Sequence, residues 1–148
     1  NKNLNVIFDV PQVKKNNTLY KFKLKIKYQK NIWPTIINTS SITIKSDFLK
    51  RCVENDISNS YDFLEIDFRL NVYARCVDKN YKIISEKLTV YRSVENSIIS
   101  NIKKFSKIWW IKRLQAHEFM NQLYLKKNLK YKKNNMDYIL TKIILKIL

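Results

Sequence analysis

The absence of glycine is the feature that most narrows the folds open to this chain. Average usage of about 7% would give roughly ten glycines in a chain of this size, and the 148 residues contain none. The P-loop and the G-x-G-x-x-G turn need glycine where the backbone closely approaches a phosphate. The sequence therefore excludes both motifs from this chain.

The length predicts one domain, and the composition predicts a packed core. Hydrophobic residues make up 45% of the chain and aromatic residues 13%, which is more than disordered chains carry. His117 is the single histidine, and Cys52 and Cys76 are the two cysteines, so neither a three-His nor a four-Cys zinc site can be assembled from this chain alone. Two well-separated cysteines favour buried thiols in a reducing compartment, and a single disulfide between them is the alternative.

The net charge of +17 favours an anionic partner. Nucleic acid, anionic lipid and the phosphates of a sugar nucleotide all qualify, and a solvated lysine-rich surface is the alternative that needs no partner. Charge alone does not separate these possibilities.

Alternating apolar residues predict strands in the first third of the chain. Asn3 to Asp9 is typical of a short strand, and Tyr20 to Tyr28 alternates apolar residues with lysine. The β-branched stretch Thr35 to Lys45 is expected to pair with Tyr20 to Tyr28 as an antiparallel hairpin. Ser46 then caps a short helix that runs to about Glu54.

Helical spacing dominates the rest of the chain. Asp62 followed by Glu65 resembles a capping box and predicts a helix start, and the buried stripe of that helix is expected at Phe63, Ile66, Leu70, Tyr73 or Ala74, and Val77. A further strand is expected over Lys82 to Val90, and two helices over Lys107 to Asn128 and Asn134 to Leu148. Strands mixed with helices predict an α/β or α+β chain, and we take α/β as the expected class.

A few side chains are candidates for chemistry. Asp67 is expected at an apolar edge near a helix start, where it serves either as a general base or as a surface acid that favours the helix N-terminus. Trp33 beside Pro34 either stacks on a sugar ring or closes the edge of the core. His117 is expected to pack or to donate a hydrogen bond rather than act as a base.

The order of several short motifs resembles the C-terminal half of family 2 glycosyltransferases, which have the GT-A fold. The string Ser40-Ser41-Ile42-Thr43-Ile44-Lys45 leads into a short helix, and a helix with Asp67 before Phe68-Arg69-Leu70 follows. A strand with Leu88-Thr89-Val90-Tyr91-Arg92 then precedes an Asn96-Ser97-Ile98 loop. The string Ser106 to Arg113, together with Ala116 to Phe119, also looks like the helical tail of a bacterial branch of these enzymes. The resemblance covers roughly residues 1 to 128.

The resemblance implies roles for individual residues. Asp67 matches the second acid of the family's Glu-Asp pair and would be the base that deprotonates the acceptor hydroxyl. Ile66 replaces the first acid, and Glu65 is the nearest carboxylate that could cover for it. Tyr91 and Arg92 match the family's Tyr-Arg pair, which would place Arg92 near the donor diphosphate. The histidine frequent in the loop that follows is absent, and Glu95 lies nearby instead.

On this resemblance, residues 1–128 are the acceptor-side part of a GT-A glycosyltransferase and residues 129–148 are a basic amphipathic C-terminal helix. The chain has no Asp-x-Asp metal motif, so the nucleotide-binding half, with its Mn or Mg ion, is expected elsewhere in a longer protein. The resemblance implies a nucleotide-sugar donor, a glycan or lipid-linked acceptor, and a cytoplasmic enzyme of cell-surface glycan biosynthesis. No cofactor is expected within this chain, and alone it is expected to be inactive.

The last third suggests a membrane contact. Five lysines lie between Lys126 and Lys133, directly before an apolar run from Tyr138 to Leu148. That run is too short to span a bilayer, but it could lie peripherally on an anionic surface such as the inner membrane. Alternatively, the same residues pack on the core or on a second copy of the chain. The function ranked second is a basic nucleic-acid-binding module in which Tyr20, Tyr28 and intervening lysines line one open face.

Overall fold

The computed structural model describes residues 3–15, 18–21, 35–55, 61–92, 102–129 and 135–148. Within these ranges the chain forms two small mixed sheets and four α-helices, so the predicted α/β class is confirmed.

The first sheet has the strand order β4-β1-β5. Its strands are β1 (Val6–Asp9), β4 (Ile42–Ile44) and β5 (Tyr81–Ile84). The central strand β1 runs parallel to β5 and antiparallel to β4. The strand predicted over Asn3 to Asp9 is thus confirmed as β1.

The second sheet has the order β3-β2-β6. It comprises β2 (Gln12–Lys15), β3 (Thr18–Lys21) and β6 (Val90–Arg92). The hairpin expected between Tyr20 to Tyr28 and Thr35 to Lys45 is not found in the described part: Tyr20 pairs with Val13 of β2, and β4 pairs with β1. Most of the expected partner strand, 22–28, lies outside the described residues.

The four helices are α1 (Ser46–Asn55), α2 (Ile66–Val72), α3 (Lys107–Lys126) and α4 (Asn135–Ile147). Helix α2 continues directly into a π-helical turn over Tyr73–Asp78. The helices predicted after Ser46, Lys107 and Asn134 are confirmed. Among the described helices, none combines the length and apolar character that crossing a bilayer requires.

The described residues divide into two compact units. One lies within 1–54 and 66–95 and holds both sheets with α1 and α2; the other lies within 55–65 and 96–148 and holds α3 and α4. The predicted boundary at residue 128 between a transferase part and a C-terminal helix stays a prediction.

The strand predicted over Lys82 to Val90 is wrong, because the structure divides this stretch between two sheets. Strand β5 ends at Ile84, residues 85–88 are exposed, and β6 begins at Val90. The chain also passes from the first sheet to the second between β1 and β2, which lie on either side of Pro11. Strand β1 pairs with β5 and β2 pairs with β6, both in parallel. Proline lacks the N–H that a continuous ladder would need.

The helix start predicted at Asp62 is also wrong, because α2 begins four residues later at Ile66. The intervening N–H groups are used otherwise: the Leu64 N–H donates to the Tyr61 carbonyl, and the Phe63 N–H donates to the Gln115 side chain. The predicted stripe is confirmed in part, because Leu70, Tyr73 and Ala74 are buried. Phe63 and Ile66 are exposed instead, since Phe63 precedes the helix and Ile66 is its first residue.

A chain without glycine must place other residues in the left-handed region. Three do so among the described residues: Lys79 (φ 60°), Phe105 (φ 67°) and Asn128 (φ 51°). Lys79 ends the π-helical turn, and its N–H donates to the Ala74 carbonyl at 2.9 Å. A β-carbon in this conformation costs roughly 1–2 kcal/mol, so the capping hydrogen bond offsets a strain that glycine would avoid.

The core of the first unit lies between the first sheet and its helices, and Phe8 on β1 is 0% exposed. We expect Phe8→Ala to lower the free energy of unfolding by about 3–5 kcal/mol, because it removes a buried ring and leaves a cavity. Leu88→Ala is the control, since Leu88 is 72% exposed; it should change stability by less than about 0.5 kcal/mol. Equal effects of the two substitutions in urea denaturation would contradict this core.

Candidate functional site

A buried carboxylate lies where the first sheet ends. Asp9 is the last residue of β1 and is 6% exposed. One of its oxygens, Oδ2, accepts hydrogen bonds from the Thr89 N–H at 3.1 Å and from the Thr89 hydroxyl at 2.8 Å. A buried charge is tolerated only when hydrogen bonds replace its water. Asp9 therefore fixes Thr89, one residue before β6, against the carboxyl end of β1.

Ser41 joins this cluster from the other side of β1. Its hydroxyl lies 2.5 Å from the Thr89 hydroxyl. A threonine hydroxyl has one proton, and that of Thr89 is directed to Asp9, so Ser41 is the donor to Thr89. Ser41 directly precedes β4. The cluster of buried Asp9, buried Ser41 and half-buried Thr89 thus links the ends of β1, β4 and β6 at one edge of the sheet.

The segment that leads to Ser41 is held at its other end by α2. Asn71 is 0% exposed; its Oδ1 accepts from the Ile37 N–H at 3.2 Å and its Nδ2 donates to the Ile37 carbonyl at 2.7 Å. The Arg75 guanidinium donates to the Thr35 carbonyl at 2.7 Å. We call residues 35–41 the bridging segment, because hydrogen bonds connect it to α2 at one end and to Thr89 at the other.

Asp67 lies in the first turn of α2, half-buried. Its backbone carbonyl accepts from the Asn71 side chain at 2.8 Å, and its Oδ1 accepts from the Phe68 N–H at 2.8 Å. At the far end of this helical stretch, Asp78 accepts from the Asn5 side chain at 2.9 Å, beside the amino end of β1. The end of this helical stretch therefore lies beside the amino end of β1.

Tyr91 and Arg92 follow Thr89 along the chain. Both are on β6, in parallel register with Val13 and Lys14 of β2. Residues in register on adjacent strands share a face, so Arg92 and Lys14 are neighbouring cations on the second sheet. Like charges in this position repel, and an anion bound between them would relieve that repulsion.

The remaining predicted site residues are Glu65 and Trp33. Glu65 forms an ion pair with Lys112 of α3, within the second unit, whereas Asp67 belongs to the first. Its role as a substitute acid stays a prediction. Trp33 lies outside the described residues.

Sequence reasoning did not identify Asp9, Asn71 or Arg75 as structural members of this site. A sequence pattern could have indicated only Asp9, because it is the sole charged residue in the otherwise apolar strand Val6–Asp9. Asn71 and Arg75 make their contacts with backbone atoms 34 and 40 residues away, and no local pattern encodes such pairings. In open α/β sheets, ligands bind outside the carboxyl ends of the strands, which makes this edge the candidate functional site.

The second unit contains a separate polar cluster between α3 and α4. Asp137 accepts from the Arg113 guanidinium at 2.6 Å and 3.1 Å through Oδ1, and its Oδ2 lies 2.5 Å from His117 Nε2. His117 is 1% exposed, and its ring contacts that of Tyr138. The predicted packing and hydrogen-bonding role of His117 is confirmed, and the cluster attaches α4 to α3.

We expect Thr89→Val to lower the free energy of unfolding by about 1–3 kcal/mol, because it removes the hydroxyl that Asp9 and Ser41 share and leaves buried polar atoms unpaired. The matched control is Thr43→Val, an exposed threonine on β4, which should be nearly neutral. Urea denaturation measures both; equal stability of the two variants would contradict the buried cluster.

We expect Asp137→Asn to weaken the attachment of α4 by about 1.5–3 kcal/mol, the range for hydrogen bonds to charged groups. Asp47→Asn is the control, because Asp47 also lies in the first turn of a helix, α1, but is exposed; it should cost at most about 1 kcal/mol. Hydrogen exchange of the α4 amides reports the difference. Unchanged exchange in Asp137→Asn would mean that α4 is held by other contacts.

Cysteines and potential metal ligands add nothing further to this site. Cys52 is buried and Cys76 is half-buried, and no disulfide joins them. Across the described ranges, no group of three or more His, Cys, Asp or Glu side chains could hold a metal ion.

Searches of protein-family models, of curated proteins and of solved structures found no match to this chain.

Proposed function

We propose that this chain is the acceptor-side part of a cytoplasmic, family 2-like glycosyltransferase of the GT-A fold, which transfers a sugar from a nucleotide donor to a glycan or lipid-linked acceptor. The resemblance implies inversion at the sugar carbon. The proposal rests first on the order of motifs in the sequence and second on where the fold puts them.

The order of secondary structure supports the proposal. The Ser40-Ser41 motif leads into β4, the short helix α1 follows, and Asp67 lies in the first turn of the next helix. Tyr91 and Arg92 then lie on a strand, β6. The motifs that fall on described residues thus lie on the types of element that the resemblance implies, whereas the Asn96-Ser97-Ile98 loop lies outside the described residues.

The observation that carries the proposal is the bridging segment. It is hydrogen-bonded to Asn71, one turn after Asp67, and to Thr89, two residues before Tyr91. Through this segment, hydrogen bonds connect the helix that carries Asp67 with Thr89, the residue that directly precedes the strand of Tyr91 and Arg92.

The chemistry follows from these positions. The Asp67 carboxylate would accept the proton of the acceptor hydroxyl as that oxygen attacks the anomeric carbon of the donor. The bond to the nucleotide diphosphate breaks, and the diphosphate leaves with the electron pair. Arg92 and Lys14 are the cations suited to stabilise its negative charge.

The donor nucleotide and its metal are assigned to another part of the protein. The resemblance implies a divalent Mn or Mg ion, and the described residues of this chain do not provide a ligand set for it. No step above is therefore attributed to a metal bound by this chain.

We expect Asp67→Asn, in the complete gene product that carries this chain, to lower transfer by about 10²–10⁴-fold, because the amide keeps the shape but cannot accept a proton. The assay measures nucleoside diphosphate release from a panel of nucleotide sugars with lipid-linked and glycan acceptors. Asp62→Asn is the matched control, an exposed aspartate five residues earlier, and should keep full activity. Near-native turnover of Asp67→Asn would contradict the assignment of the base.

A further inference from the structure

Helix α4 has an unusual polarity: two polar residues, Asp137 and Thr141, lie on its buried side, while several of its large apolar residues are exposed. Asp137 binds Arg113 and His117 of α3, and Thr141 is 0% exposed with its hydroxyl donating to the Asp137 carbonyl. These contacts fix which side of α4 lies against α3. A surface helix normally buries its apolar side instead.

The opposite side of α4 is a continuous apolar stripe. Five large apolar residues recur at intervals of three or four, so they share about 100° of the helix circumference, and each is at least half exposed. They are Met136, Ile139, Leu140, Ile143 and Ile147. We call this exposed stripe the α4 apolar face, and its packing on the core or on a second copy stays an alternative prediction.

Charge identifies the kind of partner. Lys142 and Lys146 lie along one side of the α4 apolar face, and Lys126 is exposed at the end of α3. The acid of α4, Asp137, is directed to the other side and is neutralised by Arg113. A hydrogen bond to Tyr138 raises the pKa of Lys142 above its ordinary value.

From this combination we infer that the α4 apolar face binds an anionic lipid bilayer, with α4 lying in the plane of the interface. Apolar side chains would enter the boundary between headgroups and acyl chains, while the flanking lysines contact the lipid phosphates. A second copy of the chain is a poorer occupant, because symmetric pairing of this face would bring Lys142 and Lys146 of both copies close together. The inference does not depend on the proposed glycosyl transfer.

The test uses the whole chain and vesicles of phosphatidylcholine with or without phosphatidylglycerol. We expect sedimentation with the anionic vesicles, little with the neutral ones, and a loss of binding as salt is raised. Ile147→Trp supplies a second readout, because a tryptophan at this 78% exposed position should shift its emission to the blue only with anionic vesicles. Equal binding to both vesicle types would overturn the inference.

Matched variants separate the α4 apolar face from the general charge of the protein. Lys142→Gln with Lys146→Gln should lower partitioning by about 30-fold, at about 1 kcal/mol per surface lysine, whereas Lys50→Gln with Lys87→Gln, both exposed elsewhere, should lower it far less. Equal losses would mean that only net charge matters and would refute the proposed face.

A second pair of variants tests the apolar contribution. Leu140→Ser with Ile143→Ser should lower partitioning into the vesicles at least tenfold, because the free energy gained by burying these two apolar side chains is lost. The control, Leu49→Ser with Val53→Ser on α1, replaces two exposed apolar residues and should have little effect. If light scattering instead finds a dimer that Leu140→Ser with Ile143→Ser dissociates, and vesicle binding is unchanged, the face binds a second copy and the inference is wrong.

Discussion

The hydrogen bonds between Asp9 and Thr89 are the interaction on which the first unit depends. A carboxylate at the end of a buried strand has lost most of its water, and two donors from one residue replace part of that water. Both donors belong to the residue before β6. The hydrogen bonds that replace the water around Asp9 therefore also direct the chain from the first sheet to the second. Ser41 adds the third segment, so a single buried charge organises the sheet edge where we locate the site.

The lack of glycine also has consequences for this architecture. The chain moves from one sheet to the next at Pro11 and across residues 85–88, without glycine turns, and ends its π-helical turn with Lys79 in the left-handed conformation. Side-chain hydrogen bonds to backbone atoms, such as those of Asn71 and Arg75, hold the bridging segment. The site that we propose accordingly depends on side chains, a carboxylate and a pair of cations, and not on a glycine-rich backbone.

Local patterns predicted the elements well and their long-range pairing poorly. Strand β1 and helices α1, α3 and α4 follow from apolar periodicity and capping, because these are properties of a few consecutive residues. The start of α2 could not be read from Asp62 and Glu65, since Gln115 and Tyr61 compete for the N–H groups of that turn. Likewise, the position of Asp67 in a helical first turn was predictable, but its link to Thr89 depends on contacts across 34 to 80 residues. The outward direction of the α4 apolar face was hidden for the same reason: it is set by Arg113 and His117.

The central claim is that the bridging segment and Thr89 form one hydrogen-bonded unit with Asp9 and α2. Native-state hydrogen exchange of the Ile37 and Thr89 amides, followed by NMR, tests it most directly, because each amide donates to one of the side chains that define the unit. Our account predicts that both exchange slowly and with the same free energy of opening, close to that of the β1 amides. Exchange of either amide at the rate of an exposed loop would contradict it.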